Sequence, residues 1–148
     1  MKLHSEIPEF NGATKWLNGE RTKHDIIGDK PTLVHFWSMS CYLCKKAIPT
    51  INAFREQWQD KLNIIAVHTP RCEDDLNIRH VTSIAQQLHI THPIFIDHEM
   101  NLSDAFENDY IPAYYLFDDE GKLRHYQTGE SSLKLLQKRI ERFLHRGS

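Results

Sequence analysis

The sequence predicts an α/β domain, a central mixed β-sheet flanked by helices, with a β-hairpin as an N-terminal extension. Three observations carry this. Strand-like and helix-like segments alternate along most of the chain. The alternation ends in a hairpin followed by one more helix. The stretch Thr32–Trp37 is apolar on both faces apart from His35, as a central strand covered by helices must be.

The elements follow in order. Asn18-Gly19 carries the turn chemistry of a tight hairpin, because both central positions of that turn need positive φ. Asp25 caps a short turn that ends at Gly28. After the Thr32–Trp37 strand, Leu43, Ala47, Ile48, Ile51, Phe54 and Trp58 recur at helical spacing, so 41–58 is an amphipathic helix. Pro49 lies inside it and is expected to kink it, since proline lacks an amide proton and crowds the preceding turn. Leu62–Val67 is a second buried strand, and Leu76–Leu88 a second helix through Ile78, Val81, Ile84 and Ala85. Ile94–Ile96 is a short strand, and Leu102, Ala105 and Phe106 mark a short helix. Ala113–Phe117 and Leu123–Gln127 flank the turn Asp119-Glu120-Gly121. Leu133, Leu136, Ile140, Phe143 and Leu144 line a closing helix whose Lys134, Lys138, Arg139 and Arg142 face water.

The 148 residues are treated as a single domain, 1–148, with Gly147-Ser148 compatible with a cloning remnant. Charged residues make up 26% and hydrophobic ones 40%, a globular balance that excludes wholesale disorder. A net charge of −2 gives no electrostatic reason to bind nucleic acid or an anionic membrane. No apolar run approaches the ~18 residues needed to span a bilayer. The N-terminus lacks the apolar core and cleavage site of a secretory leader, and three cysteines are too few for a disulfide scaffold. Both point to the cytoplasm.

Cys41-Tyr42-Leu43-Cys44 carries the chemistry. It follows a buried strand and opens a helix. Unpaired amides and the dipole at a helix N-terminus stabilise a thiolate, so Cys41 is expected to be acidified, exposed and first to attack. Cys44, one turn deeper, is expected to be shielded and to resolve the mixed disulfide. The pair could instead be half of a zinc site, or a chance core pair. Zinc needs two further ligands, and neither His89 and His92 nor the isolated Cys72 supplies them at the usual spacing. The strand-before, helix-after context favours redox chemistry over both.

The stretch Phe36–Lys45 resembles the active site of thioredoxin-fold proteins, and more closely that of the TlpA/ResA-like branch of thiol-disulfide oxidoreductases. Pro49 is similar to the fold's helix proline, and Tyr110-Ile111-Pro112-Ala113 to the segment carrying its cis-proline. Tyr115–Leu123 resembles the branch's β-hairpin, ahead of Gly129. The resemblance runs from about Glu6 to Leu144 and implies a thioredoxin-like fold with a redox-active Cys41–Cys44 disulfide. Three positions depart from the pattern: Ser40 where many members have tryptophan, Ala47 where the ResA type has glutamate, and His35 where thioredoxins bury an aspartate. The carboxylate that usually accepts the Cys44 proton is therefore missing.

His35 is a candidate replacement proton acceptor, the other reading being a core histidine bonded to backbone. A cis Ile111–Pro112 bond, which the resemblance implies, would bring the Ile111 backbone to the dithiol to pair with an extended substrate segment. Physics alone favours a trans proline at a strand start. Trp37 is read as packing beside the dithiol and helping to form the substrate surface, with Tyr42 and Leu43 as its apolar contact patch. Cys72 is read as an ordinary loop cysteine, and the remaining histidines as surface residues.

The expectation is thus a thiol-disulfide oxidoreductase that reduces or exchanges protein disulfides through a mixed disulfide, as a monomer. It needs no cofactor beyond its own disulfide, and it requires an electron donor such as a thioredoxin reductase-type system. A reducing cytosol, and Ile111 before Pro112 as in thioredoxins, favour the reducing direction. The alternatives are a thiol peroxidase and a non-catalytic zinc-binding domain. The peroxidase pattern Pro-x-x-x-Thr/Ser-x-x-Cys fails here, because Pro31 stands ten residues before Cys41.

Overall fold

Six strands form one sheet in the computed structural model, which describes residues 1–129 and 133–146. The proposed cloning remnant at 147–148 lies outside the described residues. The elements are β1 (Lys15–Leu17), α1 (Lys23–Ile26), β2 (Thr32–Trp37), α2 (Tyr42–Gln57), β3 (Asn63–His68), a 3₁₀ turn (Glu73–Leu76), α3 (Ile78–Gln87), β4 (Ile94–Ile96), α4 (Asn101–Ala105), β5 (Ala113–Phe117), β6 (Leu123–Thr128) and α5 (Leu133–Arg146). The strand order is β1-β4-β3-β2-β5-β6. The β2–β3 and β3–β4 pairs are parallel, and the other three are antiparallel.

All six residues of β2 are buried, which its position at the centre of the sheet requires. Alternation sends Val34 and Phe36 to one face, against Ile7, Phe10, Ile26, Leu102 and Phe106. Leu33 and Trp37 point to the other, where α2, α3 and α5 supply Ile48, Ile51, Phe54, Val81, Leu136 and Ile140. Each large apolar side chain removed from water there stabilises the fold by about 1.5–3 kcal/mol. β2 is thereby fixed from both sides, and the α2 N-terminus at its exit inherits that rigidity.

The expected N-terminal hairpin is corrected. Asn18 and Gly19 do take positive φ, 64° and 106°. No returning strand follows, and β1 pairs with β4 instead. The Asn18 side-chain amide donates to the carbonyls of Ile90 and His92, at 2.9 and 3.1 Å. The turn therefore ties β1 to the segment entering β4. The chain then enters α1 through a capping box between Thr22 and Asp25. The β5–β6 hairpin stands as expected. Its Asp118 carboxylate accepts from the amides of Glu120 and Lys122 and from Arg124 Nε. Gly121 takes φ 78°, and a Cβ there would sit 2.9 Å from Ile27.

Candidate active site

Cys41 is the N-cap of α2, and its sulfur accepts the Cys44 amide at 3.2 Å. A sulfur in that place takes the part that Ser or Asp usually plays at a helix start. No acidic residue occupies the first turn of α2, so the terminus keeps its positive potential for the sulfur. Cys41 and Cys44 are joined as a disulfide with Cα atoms 5.2 Å apart. The asymmetry between them is smaller than the sequence suggested: Cys41 is 6% exposed and Cys44 1%. In the oxidised form Cys41 is thus nearly buried rather than exposed, though it remains the more accessible sulfur.

The cis-proline loop faces the same cluster. The Ile111–Pro112 bond is cis, and Ile111 packs against both the core around Phe36 and the cluster holding Cys41 and Cys44. Asn108 fixes the approach: its amide donates to the Tyr110 carbonyl and its oxygen accepts from the Tyr115 hydroxyl, both at 2.8 Å. Tyr42, Leu43 and Tyr110 are exposed apolar residues. A cleft of about 310 Å³ beside the loop is lined by Thr69, Pro70, Arg71, Met100, Tyr110 and Ile111 among others. A larger cleft of about 510 Å³ bordered by Lys30, Lys61, Asp119 and Phe143 has no cysteine in its lining.

Trp37 does not belong to a substrate surface. It is 1% exposed and packs within the dithiol cluster, its ring edge against His68. A side chain so placed supports the dithiol from within the core.

His35 is also reassigned. It is fully buried, and its Nε2 lies 2.9 Å from His92 Nε2. Arg55 Nη1 lies 3.1 Å from His92 Nδ1. A guanidinium can only donate, so His92 Nδ1 accepts, His92 carries its proton on Nε2, and His35 Nε2 accepts that proton. Burial, then the Arg55 charge, pull His35 down to about 3, so the ring is neutral at pH 7. Burial, followed by His35 and Arg55, also holds His92 well below the ordinary range. A neutral imidazole has one acceptor nitrogen, and His92 occupies it. His35 has no free lone pair for the Cys44 proton.

The expectation of surface histidines fails twice, since His68 and His92 are both buried. Sequence reasoning also missed a buried carboxylate. Asp75, from the 3₁₀ turn, accepts from Ser38 Oγ and Ser40 Oγ, both at 2.7 Å, just before Cys41. The only available hint was the pair of hydroxyls at 38 and 40; nothing local linked them to position 75. Cys72 is exposed and unpaired, and no group of His, Cys, Asp or Glu among the described residues is arranged to hold a metal ion.

Residues 3–126 match the model of the AhpC/TSA family. The chain is 54% identical to the thiol-disulfide oxidoreductase YkuV of Bacillus subtilis, over 97% of each protein. It superposes with a TM-score of 0.92 on the solution structure of a thioredoxin-like protein in its oxidised form, at 53% identity and 99% coverage of both chains. A DsbE-type thiol:disulfide interchange protein from Chlorobium tepidum shares the fold, with a TM-score of 0.82 at 17% identity over 97% of this chain and 99% of that one.

Proposed function

Because the chain belongs to the AhpC/TSA family and is a thiol-disulfide oxidoreductase of thioredoxin-like fold, we propose that it works as a reductant of protein disulfides through Cys41. The Cys41 thiolate attacks one sulfur of a substrate disulfide, and the other substrate sulfur leaves as a thiolate. Cys44 loses its proton to water and attacks Cys41, breaking the mixed disulfide. The products are a substrate dithiol and the Cys41–Cys44 disulfide, so two electrons have passed to the substrate. An external dithiol donor, such as a reductase-linked thioredoxin system, must return them. The substrate backbone pairs with Ile111 beside Pro112, and Tyr42, Leu43 and Tyr110 offer it apolar contact. The protein acts as a monomer in a reducing compartment such as the cytoplasm, and needs no cofactor beyond its disulfide.

The observation that carries this is the Cys41 sulfur at the α2 N-cap, held by the Cys44 amide beside the Ile111–Pro112 loop. The test is a trap. Cys44→Ser should accumulate mixed disulfides with cellular proteins through Cys41, and Cys41→Ser should accumulate none. Equal capture by both variants would refute the assignment. Turnover of peroxide faster than of insulin disulfides would favour the peroxidase reading instead.

A further inference from the structure

Two buried side chains hold each of the three residues that lead into Cys41. The Asp75 carboxylate takes the hydroxyls of Ser38 and Ser40 and the Arg71 amide, at 2.7, 2.7 and 2.8 Å, all on Oδ2. His68 Nε2 accepts the Met39 amide at 3.1 Å. Asp75 Oδ1 is buried without a hydrogen-bond partner, and so is His68 Nδ1. Neutral groups could clamp a loop equally well, whereas a buried carboxylate with an unpaired oxygen is costly to keep.

Resting on the thiol-disulfide reading, we propose that Asp75 is a positioning residue that fixes the approach to Cys41 and whose charge opposes the Cys41 thiolate, making the dithiol a stronger reductant. The helix terminus stabilises the thiolate and a nearby negative charge destabilises it. A less stable thiolate means a less stable reduced form, so electrons leave more readily. The fold thus brings a buried carboxylate from another element against the segment that precedes the nucleophile.

The carboxylate is ionised and its charge is not cancelled locally. Burial works to raise its pKa, but hydrogen bonds from the Arg71 amide, Ser40 and Ser38, with the nearby His68, hold it below the ordinary carboxylate value. His68 is neutral: burial dominates over the pull of Asp75 and leaves it at about 4. His98, after β4, adds to the downward pull on His68. The other charged or titratable groups on the neighbouring elements are Arg71, Glu73 and Asp74 around the 3₁₀ turn, Arg79 and His80 at the start of α3, Lys45 and Lys46 near the start of α2, and Asp97 after β4. Of these, Asp97 is buried and bonded to the Leu102 and Ser103 amides, Lys45 is partly buried, and the rest are exposed.

The test compares Asp75→Asn with Ser40→Ala, both on full-length Cys72→Ser protein so that only the dithiol reports. The readouts are the pH profile of Cys41 alkylation by iodoacetamide and the redox equilibrium with glutathione. Asp75→Asn should lower the Cys41 midpoint by about one pH unit. It should also shift the equilibrium toward the dithiol by up to about tenfold, ~30 mV. Ser40→Ala removes one hydrogen bond but keeps the charge, and should leave the midpoint in place. An unchanged or raised midpoint in Asp75→Asn, or an equal shift in Ser40→Ala, overturns the proposal. If Asp75→Asn does not fold, Asp75→Ser replaces it, with Asp75→Glu expected to keep the wild-type midpoint. Failure of the wild-type dithiol to exchange with glutathione would instead strike at the oxidoreductase reading itself.

Discussion

Two buried polar networks flank the strand that leads to Cys41, and they differ in how completely they are paired. In the deeper one, two neutral imidazoles, His35 and His92, are ordered by the Arg55 guanidinium, a donor that cannot accept. In the nearer one, Asp75 and His68 grip Ser38, Met39 and Ser40 yet keep one buried oxygen and one buried nitrogen unpaired. A paired network fixes structure, because every change to it costs a hydrogen bond. An incompletely paired, charged one beside a redox sulfur can alter chemistry. Burial alone does not distinguish them, since His35 and Asp75 are both sealed from solvent.

The largest expected contrast lies at the dithiol itself. Cys41→Ser should abolish insulin reduction, while the fold, read by circular dichroism, persists.

Acid provides the next contrast. His35, His92 and His68 all have folded pKa values depressed below the unfolded value near 6.5, to about 3 for His35 and about 4 for His68. Between those values the unfolded chain binds more protons than the folded one. Their contribution is therefore complete above about pH 6.5 and lost as the pH falls toward 3–4. Each such histidine costs about 1.4 kcal/mol per pH unit in that window. Urea midpoints at pH 7.5 and 5.0 should fall accordingly; equal midpoints would mean that the rings are solvated.

His35→Ala should then destabilise the protein by about 1–3 kcal/mol, because the His92 donor is left unpaired in the core. It should leave the pH profile of mixed-disulfide lifetime unchanged, since His35 has no acceptor to offer Cys44. A slower resolution step in a folded variant would restore His35 to the mechanism. Imidazole nitrogen shifts sharpen the same point without mutation: His92 should carry its proton on Nε2 and His35 on Nδ1. The smallest effect belongs to Cys72→Ser, which should leave insulin reduction nearly intact, as Cys72 is exposed and far from resolving spacing. A loss comparable to that of Cys41→Ser would reveal a third redox thiol.

Much of this molecule was legible in its residues. Strand–helix alternation and the apolar faces of Thr32–Trp37, interrupted only at His35, announced a covered central strand, because burial on both faces favours apolar side chains throughout. Cys-x-x-Cys at a helix start announced redox chemistry, because capping and thiolate stabilisation are local and act within one turn. What the sequence could not show was which distant residues meet. The Asn-Gly turn was chemically correct, yet whether a strand returns from it depends on β4 being free to pair with β1. His35 looked available because its partner, His92, lies 57 residues away on the segment entering β4. Asp75 looked like one acid among several until the 3₁₀ turn placed it under Ser38 and Ser40, 37 and 35 residues back in the chain. The sequence by itself determined most of the elements and the Cys-x-x-Cys pair at a helix start, since these rest on periodicity and on contacts a few residues long. The tertiary structure alone decided the protonation of His35, the burial of Trp37 and the bonding of a carboxylate to the two serines that precede Cys41. Those are set by contacts between segments that only the packed sheet brings together.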